Sequence, residues 1–288
     1  MIVMILLSIL VLMVVPFAYL FAKDVFTHKN EPKEKPHWFS GLVGLIANFL
    51  DTLGIGSFAQ ITAIFKATKA VDDKLIPGTL NVANAIPIAV QALIFITVVE
   101  VDLTTLIPLI ASAVAGAWLG AGIIARFSRK RIQLIMGFAL ACTAILMILS
   151  IAGLIEGYGN ATGLTGGMLV AGIIGNFILG AFMTAGVGLY APCMAMLFLL
   201  GMSPLCVFPI MMGSCAFLMP VAGIRFIKRG QYARKPSVAI AVTGTIGVLI
   251  AAYLVTSLPL HMLKLVVIVV VIYASGAMLY SAWKSKQH

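Results

Sequence analysis

Charge is what this chain has least of. Of its 288 residues 10% are charged and nine are acidic, while 62% are hydrophobic and the mean hydropathy is +1.13. No stretch is polar and long enough to build a soluble domain. The short alternating apolar and polar segments of a membrane β-barrel are missing too. Helices remain, since they satisfy their own backbone in hydrocarbon. Cysteine is scarce: Cys142, Cys193, Cys206 and Cys215 all lie in apolar segments. There is no C-x-x-C and no His/Cys ligand spacing, so they read as buried free thiols, and neither metal nor cofactor is expected. No ATP-binding motif is present, which argues for an ion gradient or the substrate's own gradient as driving force. There is also no HExxH, no second buried acid for an aspartyl dyad and no Ser/His pair at membrane depth, which argues against an intramembrane enzyme. The run 1–22 lacks a basic n-region and an A-x-A site, and reads as a retained span, not a cleaved signal.

What is there is an all-α polytopic membrane protein, read as one integral domain over 1–288. Apolar runs predict helices over 2–22, 39–52, 57–66, 77–99, 104–126, 131–154, 166–183, 189–201, 205–227, 236–257 and 262–284. Four of these (39–52, 57–66, 166–183 and 189–201) are short for a full crossing. They form two pairs, each interrupted by a glycine knot: "GIG" at 54–56 and "GVG" at 186–188.

The knots belong to an internal repeat. Gly41 matches Gly172 and Gly44 matches Gly175 at a shift of 131 residues. After one inserted residue, Thr52/Thr184, Gly54/Gly186, Gly56/Gly188, Ala59/Ala191, Ala63/Ala195 and Pro77/Pro209 match at a shift of 132. Small-residue helix packing explains single matches, but not a shared register. The expected organisation is an extra N-terminal span and basic loop over 1–38, repeat 1 over 39–154 and repeat 2 over 166–284.

Net charge is +10, yet the basic residues sit in short loops between apolar runs, as topology signals do, and not in a nucleic-acid-binding face. If each short pair is a re-entrant hairpin and the N-terminus lies outside, the chain has about seven full spans and two hairpins. The inside loops 23–38, 66–76, 126–131 and 225–235 and the C-terminal tail then hold 18 of the 19 basic residues, with Lys264 the exception. If each pair were one full span, one strongly basic loop would face out, against the positive-inside rule. Three spans separate the hairpins, so they open to opposite sides. That is the inverted-topology repeat of many secondary transporters.

At each knot a second half-helix begins near the expected bilayer middle, with free N–H groups and the positive end of its dipole. Glycine there lets a ligand approach the backbone closely. Two such ends, "GIGSFAQ" and "GVGLYAP", facing each other make an anion site. The candidate substrate-binding residues are Thr52, Gly54, Gly56, Ser57, Gln60, Asn81, Asn84, Thr184, Gly186, Gly188, Tyr190 and Ser214. Thr79 lies on the same stretch as Asn81, whose repeat counterpart is Gly213. "GIGSFA" also looks like the start of a dinucleotide fingerprint, but no strand–turn–helix context surrounds it. Asp51 is the one acid inside a membrane segment, where an ionisable side chain is a functional candidate by default. It is either a proton-coupling or gating group or a cap for the half-helix beginning near Gly56. The repeat gives it no acidic twin, for its aligned position is Phe182 or Met183.

A small-residue hairpin with a glycine knot, a proline opening the next helix (Pro77, Pro209) and a small polar run, all duplicated, resembles the TauE/SafE family of sulfite exporters and sulfonate permeases. The likeness extends over the chain apart from the first span. The family's glycine run appears here as "GIGS" and "GVGL". Its Thr-Ser pair in the following helix appears as Asn81-Val82 and Gly213-Ser214. The resemblance implies a multi-pass carrier in the cytoplasmic membrane for sulfite, sulfonates or related organic or sulfur oxyanions; the charge map puts the C-terminus inside. Its partners would be the anion, the bilayer and a coupling ion such as the proton. A passive anion channel is the alternative within the same class.

Overall fold

The computed structural model describes residues 2–28, 37–72, 74–119, 159–184 and 188–257, with single residues and short runs within 134–152 and 265–283. Among the described residues all regular structure is helical. In chain order the helices are α1 (Ile2–Thr27), α2 (His37–Thr52), α3 (Ser57–Thr68), α4 (Ile76–Ala83), α5 (Ala85–Val98), α6 (Leu103–Leu119), α7 (Gly166–Thr184), α8 (Tyr190–Leu199), α9 (Pro204–Lys228) and α10 (Arg234–Ser257). Helices α1, α7, α9 and α10 are each long and apolar enough to cross a bilayer, and α4 with α5 makes a fifth if the bent pair counts as one span.

The expected helix over 77–99 is in fact two, bent by 41° at Asn84. The cause is Pro87. It has no N–H for the Ala83 carbonyl, and its ring crowds that carbonyl, so the helix cannot run through. Of the other expected helices, 131–154 and 262–284 lie largely outside the described residues, as do the end of 104–126 and the basic loop 126–131.

Helix α9 is the axle. It is apolar all round, buried along nearly its whole length, and packs against α1, α4, α5, α6, α7 and α8. An all-round apolar helix belongs in such a place. Two pairings are the most extensive: α2 runs along α10, and α6 along α7, the latter against α9. Glycine makes both possible. A methyl group on Gly247 of α10 would overlap the Leu45 carbonyl of α2, and one on Gly116 of α6 would overlap the Phe177 carbonyl of α7. Gly44 in α2 and Gly180 in α7 likewise press on the backbones of Ile240 and Ala113. Small residues at membrane helix crossings let backbones approach and pack.

Each end of the molecule is tied. At one, the last turn of α1 meets the α9–α10 loop: Tyr232 Oη donates to Asp24 Oδ2 at 2.6 Å and Arg234 Nε to the same oxygen at 2.7 Å. Thr79 Oγ1 accepts from Ala233 N nearby. At the other, Leu164 N donates to Thr105 Oγ1 at 2.8 Å, and Ala161 bridges to Met202. Helix α1 is peripheral, with Leu10 and Phe17 buried and Met4, Leu12 and Tyr19 exposed. Of the cysteines, Cys193, Cys206 and Cys215 are buried but Cys142 is exposed, against expectation. It shares a helical face with exposed Phe138 and Ile145, an apolar stripe suited to lipid.

Candidate functional site

The break after α2 occurs where the glycines demanded one. Gly54 has φ +96° and Gly56 φ +83°, a region that strains any residue with a Cβ. The turn satisfies the last carbonyls of α2: Gly54 N donates to Asp51 O at 2.9 Å and Ile55 N to Leu50 O at 3.2 Å. Chain reversal brings the Asp51 side chain to the start of α3, where its Oδ1 accepts the backbone N–H of Ser57. The first half-helix therefore does not present a wholly free N-terminus, as the sequence had implied. A carboxylate from its own turn already occupies part of it.

The other oxygen of Asp51 is held from a different helix. Gln91 in α5 donates through Nε2 to Asp51 Oδ2 at 3.0 Å and to Thr52 Oγ1 at 2.9 Å. Gln91 Oε1 accepts from Tyr190 Oη at 2.6 Å. An ionised carboxylate only accepts, so it fixes which end of the Gln91 amide faces it and leaves the carbonyl end for the tyrosine. Thr52 Oγ1 donates on to Asn48 O, and Asn48 Nδ2 donates at 2.9 Å to Asn84 Oδ1, at the α4–α5 break. Asp51, Thr52, Asn48, Asn84, Gln91 and Tyr190 are all buried. Among the described residues no basic side chain is a partner of Asp51. Its charge faces the Ser57 N–H, the Gln91 amide and the positive end of α3.

The second break differs. Residues 185–187, Gly186 among them, lie outside the described residues, as does the Thr184 side chain. The polar group here is neutral: Asn176 Nδ2 in α7 donates to Leu109 O at 2.7 Å and to Ser214 Oγ at 2.9 Å. Cys193 Sγ lies 3.6 Å from Asn176 Oδ1, and Cys215 Sγ lies 3.4 Å from Met183 Sδ.

The two breaks touch each other reciprocally. A Cβ built on Gly56 would lie 3.8 Å from the Cβ of Tyr190, and one built on Gly188 would lie 3.6 Å from the Cβ of Phe58. Gly54 faces Met194, Met211 and Phe208. Of the residues singled out in the sequence, Asp51, Thr52, Ser57, Asn84 and Tyr190 thus join at the first tip, with Gly54, Gly56 and Gly188 around them. Ser214 belongs to the Asn176 group. Gln60 instead turns back to Gly56 O at 3.1 Å, and Asn81 to Pro77 O at 2.9 Å. Buried Ser57 Oγ, Asn48 Oδ1 and Asn81 Oδ1 have no hydrogen-bond partner. Sequence reading missed Gln91, Asn48 and Asn176. Each is a lone amide in an otherwise apolar helix, a signal of the same kind as Asp51.

The site can be set beside known proteins. The family described as sulfite exporter TauE/SafE matches residues 1–147, which take in α1 and end before α7. The match thus includes the first span, which the motif likeness had left out. Neither the curated proteins nor the solved structures compared with the chain provide a match. With that family match over half the chain, and with apolar helices long enough to cross a bilayer, the chain is a multi-pass membrane protein that belongs to the sulfite exporter TauE/SafE family of transporters.

Proposed function

We propose that the protein is a secondary carrier for a small anion, a sulfur oxyanion or sulfonate, with its substrate seat where the two hairpin tips meet. The observation that carries this reading is the reciprocal contact of Gly56 with Tyr190 and Gly188 with Phe58. Gly56 and Gly188, like Phe58 and Tyr190, stand 132 residues apart, the register of the repeat. The glycine crossings support the same symmetry. Gly116 and Gly247 are 131 residues apart, and each presses on the backbone of a residue in the other pair of related helices, Phe177 and Leu45. Repeats over 39–154 and 166–284, packed as inverted copies after an extra first span, account for these pairings.

In this reading Thr52, Ser57, Asn84, Tyr190 and Ser214 supply hydroxyl and amide groups. Gly54, Gly56 and Gly188 let the anion near the backbone, Gln60 and Asn81 line the approach, and Asp51 is the coupling group; Gly186 and Thr184 join the set on the sequence repeat alone. Alternating access would move one half against the other around the tips. The charge map supports an N-terminus outside and a cytoplasmic C-terminus. The test is thermal stabilisation of the purified protein by sulfite, sulfate, thiosulfate, taurine, isethionate, sulfoacetate and simple carboxylates. A ligand at 100 times its Kd adds about 2.7 kcal/mol. A sulfur oxyanion or sulfonate is expected to stabilise, and a flat response across the panel contradicts the proposal.

A further inference from the structure

Resting on that reading of the site, we propose that the Asp51 carboxylate is a built-in competitor, sitting in the oxyanion seat at the start of α3 until the transported anion displaces it. Three observations converge. The backbone N–H that would receive an oxyanion, that of Ser57, is taken by Asp51 Oδ1. The Ser57 hydroxyl, fully buried at the same helix end, faces the same carboxylate but makes no hydrogen bond of ordinary geometry, so the seat holds a donor that Asp51 does not fully use. The carboxylate reaches this place from across the turn, braced on its other oxygen by Gln91 of α5. A carboxylate and a sulfur oxyanion offer the same chemistry, negative and acceptor-only. They cannot share one N–H and one helix end.

Displacement has a consequence for protons. An ionised Asp51 pushed out of its seat would stand beside a second negative charge in a buried place, with no basic partner among the described residues. It is relieved by taking a proton from solvent onto the freed oxygen. The protonated acid can donate from that oxygen, while Oδ2 still accepts from the Gln91 amide. The anion then has Ser57 N–H and Oγ–H, and one proton travels with it. Among the described residues, the titratable groups that face Asp51 are Tyr190 on α8 and Cys215 on α9, with Cys193 beside them. Helices α3 and α5 bring it neutral Ser57 and Gln91, and α10, on the other side of α2, carries its titratable residues Arg234, Lys235 and Tyr253 toward its ends.

The test uses full-length protein and anions that do not titrate near neutrality, methanesulfonate and sulfate, with sulfite alongside. Calorimetric titrations in two buffers of different ionisation enthalpy count protons taken up per anion bound. In the wild type the expected uptake approaches one, and affinity weakens about tenfold per pH unit where Asp51 titrates. In Asp51→Asn, uptake vanishes and affinity no longer depends on pH, at a value at least as tight as the wild type's acid limit. Ser57→Ala is expected to weaken binding about fivefold and to leave the proton count unchanged. Binding with the same proton count and pH slope in wild type and Asp51→Asn overturns this proposal and spares the site. Should Asp51→Asn not fold, a wild-type count of zero overturns it alone. Absence of saturable binding of all three anions overturns the site reading and this proposal together.

Discussion

Gly56 and Gly188 stand at matching places in the two hairpins, and Phe58 and Tyr190 two residues beyond them. The first tip is left-handed and charged. Gly54 and Gly56 both have positive φ, and Asp51 sits against the start of α3. The second tip has no acid. Gly188 is not in the left-handed region, and the polar group nearby, Asn176 with Ser214 and Cys193, is neutral. The first half-helix end carries a carboxylate of its own, and the second contributes the tyrosine that reaches across to Gln91. The pair thus matches in sequence register and differs in backbone and in electrostatics. A site that must hold an anion and also sense a proton needs that combination, because one end must change its charge while the other stays constant.

The comparison can be broken by substitution, with unfolding in detergent as the common measurement. Gln91→Leu should cost the most, about 3 kcal/mol, because it strips a donor from a buried carboxylate and the acceptor from Tyr190 at once. Asn176→Leu, in the neutral group, should cost about 1 kcal/mol. Gly54→Ala should cost about 2 kcal/mol, from φ +96° and from a Cβ that would lie 2.8 Å from Met194 Cε. Gly188→Ala should stay within about 0.5 kcal/mol, since its Cβ makes only ordinary contact. Equal costs at Gly54 and Gly188 would remove the asymmetry of strain. Tyr190→Phe should cost about 1 kcal/mol and keep the ring packing, as Phe58 already shows at the matching place.

The smallest effect lies away from the tips. Burial and the hydrogen bond to Asp24 hold the Tyr232 hydroxyl well above the usual tyrosine range. A raised value means that this contribution is whole below the ordinary value of about 10 and is lost as pH rises beyond it. Tyr232→Phe should therefore flatten a loss of stability seen only in strong alkali.

The hairpin breaks were legible because they are local. Glycine at 54 and 56 announces a backbone that other residues resist, and the repeat makes the second knot visible from the first. The bend at Asn84 was equally local, three residues before Pro87, but the run around it is so apolar that it reads as one span. The site's wiring was not legible in the same way. Gln91 is 40 residues from Asp51 and 99 from Tyr190, and no pattern along one helix says which amide will meet which acid. The lone amides Asn48, Gln91 and Asn176 were visible as polar groups in hydrocarbon. Only the packing of α2 and α8 against α5, and of α7 against α6 and α9, gave them partners. The capping of α3 by Asp51 falls between these cases: the spacing allowed it, and the fold of the turn decided it.

The central claim is that the paired tips form one carrier site. It is tested most directly by counterflow in proteoliposomes loaded with unlabelled sulfite and diluted into labelled sulfite. The account predicts transient accumulation of label above equilibrium, saturable and blocked by methanesulfonate, and lost in Gly54→Ala while retained in Gly188→Ala. Label that only equilibrates, with flux that never saturates and unitary currents in planar bilayers, would contradict it.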